Sequence, residues 1–169
     1  MPTRMPTLLV RLAAAWTAIG LASGLFYREF TKANDVAGGT QLAVVHTHTL
    51  TLGTLVLLLL LALVLALPAL TQDRRMRWAV WVWQAGLVLT TGGMLVKGSL
   101  QVLGREVANS PAIAGVSGLG HMTLTAAFVL LFLALTRAVR TLDQSPAAFA
   151  LEPTTGEAAT EQAAALQGR

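Results

Sequence analysis

Four long apolar runs, about Thr7 to Tyr27, Gln41 to Leu67, Trp78 to Leu103 and Leu119 to Val139, constrain this chain more than anything else in it. Each is long enough to cross a hydrocarbon core of roughly 30 Å. No water is available there, so every backbone N–H and C=O has to find its partner within the segment, and a helix does that. The alternation in HTHTLTLG, residues 46–53, looks locally like a strand, but the run continues without a turn signal until Pro68 and reads as helix. The expected fold is all-α: an integral membrane four-helix bundle over residues 1–142. Residues 143–169, DQSPAAFALEPTTGEAATEQAAALQGR, hold too few large apolar side chains for a core and read as a disordered cytoplasmic tail. Arg4 and Arg11 ahead of an apolar stretch ending in GLASG also fit a cleaved signal peptide. Gly20 and Gly24, by contrast, make a small-xxx-small face suited to packing against another helix.

Hydrophobic residues make up 54% and charged residues 12% of the chain, a membrane protein's balance. The net charge of +4 does not point to nucleic acid, because the basic residues sit in short clusters beside the apolar runs. Arg4, Arg11, Arg74, Arg75, Arg77, Arg137 and Arg140 fall on one side of a four-span arrangement. Arg28, Lys32 and Arg105 on the other are partly balanced by Glu29, Asp35 and Glu106. The positive-inside bias then puts both N and C termini in the cytoplasm. Trp78, Trp81 and Trp83 beside the Arg74 to Arg77 cluster fit an interfacial aromatic belt on the same side.

Cysteine is absent, so a bound metal would have to rest on His, Met, carboxylate or backbone oxygen. The three histidines are therefore the residues to follow. Antiparallel threading brings them to one depth: His46 and His48 lie about 8 to 11 Å in from Gln41, and His121 is near the corresponding start of the fourth run. Tyr27, Arg28, Lys97 and Gln101 reach the same outer level. Ionisable groups within spans usually mark function, although an interhelical hydrogen bond or a proton or solute pathway also employs histidine.

At about 100° per residue His46 and His48 point some 200° apart, so they look to different neighbours. Gly53 shares the face of His46 and leaves a notch for a flat ligand or another backbone. Gly86, Thr90, Gly93, Lys97 and Gln101 form a small and polar stripe on the third helix, and His121, Thr125, Phe128 and Phe132 share one on the fourth. Met94 and Met122 read as core filling rather than soft ligands.

Among cofactors, b-type haem suits these residues best, with imidazoles as axial ligands and Lys97, Arg28 or Arg105 near its propionates. The preferred ligands are His48 and His121, with His46 as an alternative or additional one. Copper or zinc is the alternative, disfavoured by the opposed directions of His46 and His48. The expected work is electron transfer or the sensing or handling of a diatomic gas such as O₂ or NO. A small transporter, a metal-handling protein or an accessory subunit of a larger membrane complex is the other reading. Expected partners are the lipid bilayer and a second copy of the chain or a larger complex.

In order, GLFYREFTK, TQLAVVHTHTLTLG, GGMLVKGSLQVLG and GLGHM resemble a bacterial family of small four-helix membrane proteins, domain-of-unknown-function 2871. The resemblance covers nearly everything except the tail; it implies a bacterial inner (plasma) membrane location and brings no activity. The H-x-H of His46 and His48, followed by small and apolar residues and a Gly, also resembles a helix of haem-copper oxidase catalytic subunits. That likeness implies a high-spin haem on His46 and a low-spin haem on His48. The Gly comes one residue earlier here and no histidine cluster for copper is present, so an oxygen-reducing enzyme is not expected.

Overall fold

A computed structural model describes residues 5–143; of the tail expected to be disordered, Asp143 still belongs to a helix and residues 144–169 lie outside the described residues. Among the described residues there are four helices long and apolar enough to cross a membrane. They are α1 (Met5–Ala33), α2 (Gln41–Ala66), α3 (Arg74–Val102) and α4 (Pro111–Asp143). The packing lies within the first of two compact units, which ends at Leu135; the second starts at Thr136, and its described part is the end of α4.

Helices α1, α3 and α4 extend several residues beyond their apolar runs at one end or both, and local caps close several helix ends. At the end of α1, Asp35 takes φ 51°. Its N–H bonds the Lys32 carbonyl at 3.3 Å, and the Val36 N–H bonds that of Thr31 at 3.0 Å. Gly104 at φ 64° closes α3 with the same pair of bonds, Gly104 to Gln101 and Arg105 to Leu100. Both are left-handed caps that use up orphan carbonyls. Asp73 begins α3 by accepting the Arg75 N–H at 2.7 Å, and α2 ends at Ala66, with the extended Leu67 ahead of Pro68.

Helix α2 is not uniform. It opens with a 3-10 turn, Gln41–Val44, makes one α turn through the two histidines, Val45–His48, and widens into a π-helical stretch, Thr49–Leu55, before resuming as α from Val56. The N–H of Val56 reaches back five residues to Thr51. Such widening is uncommon and concentrates at functional sites.

Helix α3 is the centre of the bundle: 56% of its apolar window is buried, against 22% to 28% in the other three spans. Its small and polar residues follow from that, since neighbours approach it from several sides. Gly86 and Gly93 lie against Leu124 and Ser117 of α4, and Thr90 meets Gly120. Gly98 touches the backbone of Leu42 at the start of α2. Trp16 of α1 donates its indole N–H to Gln84 Oε1 at 2.6 Å.

Candidate functional site

The two histidines of α2 differ in what they touch. His46 faces α1, where a Cβ on Gly24 would lie 3.6 Å from the His46 Cβ. It is half-buried, and its Nδ1 is buried with no hydrogen-bond partner. The rest of this interface is closed. Gly20 accommodates Leu50, and Thr49 bonds back to Val45 and His46 carbonyls at 2.9 Å each. The notch over Gly53, expected to receive a flat ligand, is filled by Trp16: a Cβ there would sit 2.6 Å from the Trp16 Cγ.

His48 lies on the other side and is half-buried, and its Nδ1 is 2.9 Å from the Val44 carbonyl. His121 repeats the arrangement on α4, with Nδ1 2.8 Å from the Ser117 carbonyl on an exposed ring. A carbonyl only accepts, so in each neutral imidazole Nδ1 carries the proton and Nε2 keeps its lone pair. A second-shell carbonyl of this kind sets the tautomer of a metal-binding histidine.

Trp83 relates these two rings. It is 2% exposed, donates to the Leu52 carbonyl of α2 at 3.0 Å, and stacks edge-on against Phe128 of α4 at 4.8 Å and 88°. It therefore marks the side on which α2 and α4 both flank α3. His121 precedes Phe128 by two turns and shares its face, and His48 precedes Leu52 by four residues, just ahead of the π-helical stretch. Depth agrees. Leu42 rests on Gly98, which puts His48, about 9 Å further along α2, opposite residue 92 of α3. His121 follows Gly120, which lies on Thr90. The two rings are thus within about one helical turn of the same level.

The remaining sequence candidates divide. Lys97 is half-buried, one turn past Gly93 on the stripe of α3 that meets α4. Gln101, expected to reach a ligand, instead caps α2: its Oε1 accepts the Gln41 N–H at 2.8 Å. Tyr27 packs against the cluster of Leu42, Val45, Met94 and Val102, which makes Met94 a core residue, whereas Met122, expected to fill the core as well, is 71% exposed. Arg28 pairs with Glu29 at 3.5 Å, with 75% and 56% of their side chains exposed. Among the described residues no group of three or more His, Asp or Glu is arranged to hold a metal ion. Trp83 is a correction to the aromatic belt: Trp78 and Trp81 are 55% exposed, whereas Trp83 is core. Its phase, 140° from Trp78 at 100° per residue, was the available signal.

Fold and packing define an α-helical membrane bundle organised around one central helix. The chain belongs to the family described as protein of unknown function DUF2871, whose profile matches residues 7–138. No curated protein and no solved structure matches it.

Proposed function

We propose that the chain binds b-type haem between α2 and α4, with His48 and His121 as ligands, in a bacterial inner membrane with both termini cytoplasmic. What supports the reading is that His48 and His121 each hold Nδ1 against a carbonyl of their own helix, which leaves Nε2 as the nitrogen able to ligate. Lys97 lies on the α4-facing stripe at the outer end of α3, suited to an anionic propionate. Trp83 and Phe128 supply an apolar floor deeper in the groove. Bound haem supplies a one-electron couple or an axial site for a diatomic gas. The chain's own residues orient the ligand rings and exclude water from below.

The exposed His121 ring leaves the groove open outward, which favours completion by lipid or by a second copy of the chain. The test is optical. Protein purified from haem-replete membranes is expected to show a Soret band, lost in His48→Ala and in His121→Ala. A band that survives both substitutions, or a colourless protein retaining stoichiometric copper or zinc, sinks the proposal. A colourless protein with Lys97-dependent flux across liposomes makes it a transporter instead.

A further inference from the structure

At the opposite end of α3 from Lys97, Arg74, Arg77, Trp78 and Trp81 line a surface groove of about 280 Å³. Their spacing of i, i+3, i+4 and i+7 sets them on one helical face, while Met76, Ala79, Val80 and Trp83 turn into the bundle. Both indoles are 55% exposed. Among the described residues the one ion pair is Arg28 with Glu29, so neither guanidinium is paired there. Asp73, the adjacent acid, has its Oδ1 on the Arg75 backbone N–H. The same face continues along the span through exposed Trp81, Ala85 and Val88.

We propose that this groove is a binding site for one anionic phospholipid. Two guanidiniums a turn apart offer forked donors to a phosphodiester. The indole N–H groups add donors at headgroup level, where tryptophan's amphipathic ring is at home. The apolar strip through Trp81, Ala85 and Val88 receives an acyl chain, and that strip selects a lipid over free phosphate.

The full chain is reconstituted in nanodiscs of mixed phosphatidylglycerol and phosphatidylcholine, extracted in mild detergent, and its retained lipid counted by native mass spectrometry. One phosphatidylglycerol per chain is expected, with phosphatidylcholine not retained. Arg74→Gln with Arg77→Gln is expected to weaken retention roughly thirtyfold, while Arg105→Gln, which removes one positive charge elsewhere, leaves it unchanged. All three positions are exposed, so folding is little affected. Equal retention of both lipids, an unaltered double variant, or displacement of the lipid by excess inorganic phosphate overturns the proposal.

Discussion

Helix α2 meets its surroundings in two different ways, on the face of His46 and on the face of His48. Toward α1 it is closed: Gly20, Gly24 and Gly53 let Leu50, His46 and Trp16 approach. Away from α1 it touches α3 through the Trp83 indole, and the His48 ring, half-buried like that of His46, bonds its own helix. The difference teaches what close packing does to a polar atom. On the closed face the His46 Nδ1 is trapped without a partner; on the other face a ring of the same chemistry bonds its own helix and keeps a lone pair available.

The closed face is the easiest to break. Gly53→Leu drives a side chain into Trp16 and is expected to cost about 3 kcal/mol, read as a lowered unfolding midpoint in detergent. Gly92→Ala, where a Cβ meets nothing within 4 Å, is the control and should shift stability by less than about 1 kcal/mol, upward. An unchanged midpoint for Gly53→Leu would mean that Trp16 is not held in place.

Trp16→Phe is the next largest. Gln84 already has a buried Nε2 without a partner, and losing the indole donor strands its Oε1 as well. A loss of about 1 kcal/mol is expected, most of it recovered when Gln84→Leu is added. A double variant no better than the single one would show that the pair contributes shape rather than hydrogen bonding.

The smallest effect sharpens the contrast most. His46→Leu removes a buried atom with no partner, so stability is expected to hold or rise by up to about 1 kcal/mol, with any Soret absorbance retained. Disappearance of that absorbance would make the His46 imidazole a ligand and erase the distinction between the two faces.

Much of this arrangement was legible in the residues. The four spans follow from apolar length, and the small-residue face of α1 from the spacing of Gly20 and Gly24. The opposed directions of His46 and His48 follow from 100° per residue alone. The occupant of the Gly53 notch was not legible, because a glycine reports that something comes close and says nothing of what. Gln101 as a cap and Trp83 as a bridge were hidden for a related reason: each bonds a backbone group on another helix, 60 and 31 residues away along the chain.

Length and hydropathy by themselves determined that the chain crosses a membrane as helices, because hydrocarbon leaves the backbone no other local solution. Helical phase determined which residues share a face. Only the tertiary structure decided which faces meet, made α3 the central helix and closed one side of α2 with Trp16. Those choices depend on the fit of side chains from separate helices, and that fit has no period along the chain from which it can be read.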